Sequence, residues 1–143
     1  VTRVLFVCVK NGGKSQMAAG LFRAVADGSE PERFRVESAG TQVGSRLNAL
    51  SVQSLAEVGV DIGDQQPRQL TSELQQAADV VVTVGEAEVD PLPGPTYRTW
   101  EIDEPSSRGI DGLARMRLVR DDIARHVRDL HDELSSGRPT SGL

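Results

Sequence analysis

The chain has 143 residues, the size of one ordinary domain built on a single core. Its 38% hydrophobic and 26% charged residues exclude a disordered, collagen-like or membrane-spanning class, and 21 Asp and Glu against 16 Lys and Arg give a formal net charge of -5, which repels nucleic acid. Cys8 is the one cysteine, so an internal disulfide and a multi-thiolate metal centre are both excluded. No apolar stretch reaches the roughly 18 residues of a membrane span, and Val4 to Val9 is too short for a signal-peptide core. The expected location is the cytoplasm and the expected state a monomer.

Val4 to Val9 (Val-Leu-Phe-Val-Cys-Val) is a continuous β-prone run of the kind buried on both faces of a parallel sheet. It ends in the turn residues Lys10-Asn11-Gly12-Gly13, after which Met17, Ala18, Leu21, Phe22 and Val25 recur at helical spacing. Phe34 to Ser38 predicts a second strand closed by Ala39-Gly40. Leu50 to Val58 predicts a helix with Leu50, Ser54, Leu55 and Val58 on one side, stopped by Gly59. Thr71 is placed to cap a helix opening at Ser72-Glu73-Leu74, and Ala78 to Val84 is a third buried strand. Beyond the proline-rich loop Asp90 to Pro95, Tyr97 to Ile102 predicts a fourth strand, and Met116, Val119, Ile123, Val127, Leu130 and Leu134 form the apolar stripe of a long last helix. His126 and His131 flank that stripe five residues apart, off the spacing of a helical metal pair, and are read as surface residues. Trp100 and Phe22 are read as core.

No repeat or linker divides the chain, so residues 1–143 are expected to form one domain, with 135–143 as a frayed tail. The alternation of strands and helices predicts an α/β fold, a three-layer α/β/α sandwich on a four-stranded parallel sheet, Rossmann-like, with ligands bound beyond the carboxyl ends of its strands.

The segment Cys8-Val9-Lys10-Asn11-Gly12-Gly13-Lys14-Ser15 occupies such an end. A helix N-terminus presents unsatisfied N–H groups and partial positive charge, so a glycine-rich loop there can wrap a tetrahedral oxyanion with its backbone. Gly12 and Gly13 permit close approach, and Asn11 tolerates a left-handed conformation better than most residues. The same field stabilises a thiolate, and a Ser15 hydroxyl could donate to it. The only two lysines, Lys10 and Lys14, lie within six residues of Cys8. A nucleotide-binding Walker loop would instead need glycine where Cys8 stands.

Cys8, five intervening residues, then Lys14-Ser15-Gln16-Met17-Ala18, with Glu37-Ser38-Ala39-Gly40, Asp79 to Thr83, and Trp100-Glu101-Ile102-Asp103-Glu104-Pro105 ahead of Arg117 to Asp121, resembles the low-molecular-weight tyrosine phosphatase superfamily. Within it the chain is most similar to the arsenate reductase branch, and there to the mycothiol-dependent arsenate reductases (arsenate-mycothiol transferases) of actinobacteria. The resemblance implies that Val9, Lys10, Asn11, Gly12, Gly13, Lys14 and Ser15 bind arsenate. It implies that Cys8, Lys14, Ser15 and a carboxyl at Glu104 or Asp103 act in catalysis, and that Ser38 supports the loop. It also implies arsenate and mycothiol as substrates, with mycothiol a co-substrate rather than a bound cofactor, and a mycoredoxin as downstream reductant.

The departures from the family sharpen this reading. Lys14 stands where the phosphatases carry arginine, and a point charge grips a phosphoryl group less well than a planar fork. Ser106 and Ser107 follow Pro105 where phosphatases place aromatics. Gly85 stands where thioredoxin-coupled reductases carry a second cysteine, so an external thiol is expected to take over. Asn11 and Ser38 match a potassium site of some relatives, but Ala19 and the stretch Gln66 to Arg68 do not, so no metal is expected. Arg46, Arg68 and Arg108 are candidates for the site mouth, with a solvated role preferred. The alternatives are a tyrosine phosphatase working through phosphocysteine and an oxyanion-binding module in which Cys8 does no chemistry.

Overall fold

A computed structural model describes residues 1–29 and 32–136. β1 (Thr2–Cys8) buries every side chain from Val4 to Cys8, as a strand covered on both faces must. It lies between β2 (Phe34–Gly40) and β3 (Val80–Val84), and β4 (Thr96–Trp100) closes the sheet on the β3 side, so the order is β2-β1-β3-β4 with every pair parallel. The expected four-stranded parallel sheet is therefore present. Its register sets Cys8 beside Gly40, and the carboxyl ends of three strands meet around the thiol.

The two faces are covered unequally. α1 (Lys14–Ser29), α2 (Ala49–Ala56) and α4 (Gly112–Ser135) bury the larger core, where Phe6 packs on Phe22 and Trp100 at centroid distances of 5.9 and 5.5 Å. The other face holds Leu5, Val7, Ala39, Ala78 and Val81 under the short α3 (Ser72–Ala77) and the flanking residues Leu70 and Val89. Thr71 caps α3 as its sequence suggests, accepting from Leu74 N at 3.1 Å.

Three expectations need correction. The helix predicted to reach Val58 ends at Ala56, and Val58 turns outward at 49% exposure because the chain reverses through Gly59 at φ 80°. The fourth strand ends at Trp100 rather than Ile102. His131 is buried, not on the surface: at i+4 from Val127 it falls within the apolar stripe, packing on Phe22 and Phe34. His126 is half-buried and stacks on Trp100 at 5.1 Å. Ser135 closes α4 and Ser136 caps it; the rest of the expected tail lies outside the described residues.

Candidate active site

The loop from Val9 to Gly13 hangs from a framework that fixes its peptide planes. Cys8 O accepts from Thr41 N, Val9 O from Gln42 N, Lys10 O from Gly44 N and Gly12 O from Asn48 N, at 2.7–3.1 Å. No peptide in the described chain is cis, so each carbonyl drawn outward turns the following N–H the other way, toward the loop interior. Those inward groups are the N–H of Val9, Lys10, Asn11 and Gly13. One of them has a partner: Asn11 N donates to Cys8 Sγ at 3.3 Å.

Asn11 is the strut of the loop. It adopts the left-handed conformation at φ 57° and is wholly buried. Arg68 N, which can only donate, meets its Oδ1 at 2.9 Å, and Gln16 Nε2 donates to the same oxygen at 3.2 Å. The other amide atom is therefore Nδ2, which donates to Ser15 Oγ at 2.7 Å. Ser15 Oγ lies 2.9 Å from Cys8 Sγ, and because a thiolate can only accept, the Ser15 hydroxyl donates to the sulfur when Cys8 is ionised. The sulfur thus receives two hydrogen bonds and lines the cavity instead of being lost in apolar packing.

Close backbone approach also fixes the loop against its neighbours. A Cβ on Gly40 would lie 2.7 Å from Val9 O, and one on Gly12 would lie 2.9 Å from Arg46 O, so both positions exclude a side chain. Ser38, expected as the support, sits two residues before Gly40 in β2, opposite Phe6.

Above the thiol opens a cavity of about 650 Å³. Among the described residues Lys10, Lys14, Arg46 and Arg115 line it against one carboxylate, Glu86, with no aromatic residue in its wall. Arg46 reaches the cavity; Arg68 pairs with Glu37 and Arg108 with Asp103. Glu104 and Asp103 are not on the cavity wall. Two hydrogen bonds of 2.8 Å from Arg115, with Ser106 Oγ at 2.9 Å, hold the Glu104 carboxyl down at about 2. The Arg108 guanidinium likewise keeps Asp103 below the usual carboxylate range. As placed here neither has a proton to give at neutral pH, and Glu104 touches the cavity only through Arg115.

The family model for low molecular weight phosphotyrosine protein phosphatase matches residues 3–139. The chain belongs to this family. Several of its relatives within the low molecular weight phosphatase family bear the name of arsenate reductases. It is 31% identical over 132 residues to the arsenate reductase of Halalkalibacterium halodurans, covering 87% of this chain and 91% of that one. It is 26% identical over 137 residues to the glutaredoxin arsenate reductase of a Synechocystis species, covering 93% and 98%. Among solved structures, the thioredoxin-dependent arsenate reductase of Corynebacterium glutamicum superposes with a TM-score of 0.77 at 31% identity, covering 96% of this chain and 63% of that one.

Sequence reasoning found the loop because its chemistry is contiguous. It missed the donor segment from Thr41 to Asn48, which acts through main-chain N–H groups that any residue type supplies, and Arg115, which reaches the cavity from a distant helix.

Proposed function

We propose that the protein is an arsenate reductase of the arsenate–thiol transferase type. The observation that carries the reading is the Cys8 sulfur, held by two donors at the floor of a cavity lined by cations. Arsenate binds the inward N–H groups of the loop, with Lys14 and Arg46 offsetting its charge. The Cys8 thiolate attacks arsenic, forming an S–As bond as one oxygen leaves as water. Arg115, freed from Glu104 by the incoming anion, can meet the oxyanion, and the same opening would return Glu104 to a range where it can protonate the leaving oxygen; Asp103 would first have to leave Arg108.

Cys8 has no second thiol to attack it, since it is the one cysteine in the chain. An external thiol therefore takes over the arsenic: its sulfur bonds to arsenic, the S–As bond to Cys8 breaks, and the Cys8 thiolate is restored. Attack by a second thiol on the sulfur of that adduct yields a disulfide and arsenite, so the two thiols supply the two electrons. Mycothiol is the proposed first thiol and a cytoplasmic mycoredoxin the second. Relatives named for glutaredoxin and for thioredoxin indicate that the reductant varies within the family.

The test is arsenite production with mycothiol and mycoredoxin, compared with thioredoxin and with glutathione plus glutaredoxin. Turnover that needs mycothiol and vanishes in Cys8→Ser supports the reading. Equal turnover with thioredoxin alone overturns the choice of thiol, and aryl phosphate hydrolysis without arsenate turnover overturns the activity.

A further inference from the structure

The chain leaves β3 through Gly85, whose φ is 90° and whose N–H donates to Trp100 O at 3.0 Å, so its backbone is held by the sheet. A Cβ built on Gly85 would lie 3.1 Å from Lys14 Cδ, 3.6 Å from Cε and 3.8 Å from Nζ. The lysine stem therefore runs across the bare face of Gly85. Lys14 opens α1 and lines the cavity together with Val84 and Glu86, and its ammonium has no hydrogen-bond or ion-pair partner among the described residues.

We propose that Gly85 is a positioning residue for Lys14: by leaving no side chain at the end of β3, it lays the lysine stem along the cavity wall and fixes where the ammonium meets a bound oxyanion. The inference rests on the reading of the loop as an oxyanion site. A side chain at position 85 presses on the lysine stem, because the sheet holds the Gly85 backbone through Trp100 on one side and the start of α1 holds Lys14 on the other. A cysteine there would be no exception. In this chain a side chain at that point, cysteine included, requires the Lys14 stem to give way from its present path by a few tenths of an ångström.

The experiment measures the arsenate concentration that half-protects Cys8 from alkylation by iodoacetamide, a readout independent of any reductant. Wild type, Gly85→Ala, Lys14→Met and the double variant are compared, with melting curves for each. Losing one charge-assisted contact is expected to raise the half-protecting concentration about tenfold. Gly85→Ala and Lys14→Met should both show that rise, and the double variant should be no worse than Lys14→Met alone. In steady-state assays the change should fall on KM for arsenate more than on kcat.

Because alanine is strained at positive φ, Gly85→Asn serves as a second variant, asparagine being a residue this chain already carries in the left-handed region at Asn11. Multiplying effects in the double variant would mean that Gly85 acts on the backbone alone, and would overturn the proposal. So would unchanged protection in Gly85→Ala, or failure of both Gly85 variants to fold. If arsenate gives wild type no protection at all, the oxyanion reading fails and this inference with it; protection of wild type with any of the other adverse results fails this inference only.

Discussion

The hydroxyl of Ser15 is oriented by an amide that is itself oriented by a backbone N–H, so the donor to Cys8 Sγ depends on Arg68 N through Asn11. Ser15→Ala leaves the sulfur one donor, and a charge-assisted hydrogen bond of about 1.5–3 kcal/mol corresponds to alkylation of Cys8 at neutral pH slowed about ten- to a hundredfold. Asn11→Ala removes the strut and places alanine at φ 57°, adding about 1–2 kcal/mol of backbone strain. Asn11→Gly relieves the strain without restoring the strut, so it should recover melting temperature but not alkylation rate; recovery of both would remove Asn11 from the argument. Glu104 invites a different test. Its carboxyl is held at about 2 by Arg115, so Glu104→Gln is expected to release Arg115 toward the anion and lower KM for arsenate. A loss of about a hundredfold in kcat beside the lower KM would assign proton transfer to Glu104, and an unchanged kcat would remove it from that step. Cys8, Asn11 and Ser15 were legible because eight contiguous residues carry their chemistry. The state of Glu104 was not, since it depends on a guanidinium eleven residues on.

At the level of elements, the loop is held by a segment with no periodicity of its own. Asn48 joins two duties: its N–H donates to Gly12 O at 2.7 Å, and its Oδ1 caps α2 by accepting from Ser51 N at 3.0 Å. Glu57 closes α2 and ties it to α4 through Arg117 and Arg120, and α4 carries Arg115 and Met116 to the cavity wall. Hydrogen bonding from Arg117 holds the Glu57 carboxyl at about 2, below its ordinary 4.5. A depressed folded-state value means stabilisation that is present above the unfolded value and lost as pH falls through the folded one. Glu57→Gln should therefore melt below wild type at pH 7, with the gap closing between about pH 4.5 and 2; solvent screening keeps the gap small. A gap that stays constant over that range would mean the carboxylate charge is not what joins the helices. Strands and the long last helix were readable from apolar runs and period. The end of α2 and the burial of His131 were not, because a turn at positive φ and the width of a helix stripe are settled by packing.

Across the whole molecule, sequence alternation was enough to give the parallel sheet but not the unequal cover of its faces, and the lysines beside Cys8 gave part of the uneven placement of charge, to which the fold adds Arg115. The chain carries a formal net charge of -5, yet among the described residues Lys10, Lys14, Arg46 and Arg115 line the cavity against Glu86 alone. An anion approaching from a distance meets a repelling molecule, and one that reaches the cavity mouth meets an attracting surface. The two fields differ in range, so salt separates them. Raising ionic strength from about 10 mM to about 1 M shortens the Debye length from about 30 Å to about 3 Å. The long-range repulsion is screened first, and only the higher range of salt weakens the cluster around the thiol. Protection of Cys8 by arsenate is therefore expected to rise or stay level up to about 0.1 M salt, where the Debye length is about 10 Å, and to fall beyond it. The salt should have a weakly interacting anion, so that competition for the loop does not mimic screening. A monotonic fall from the lowest salt would mean that the local cations already dominate at long range, and protection indifferent to salt would mean that the loop N–H groups hold the anion without help from Lys14 or Arg46.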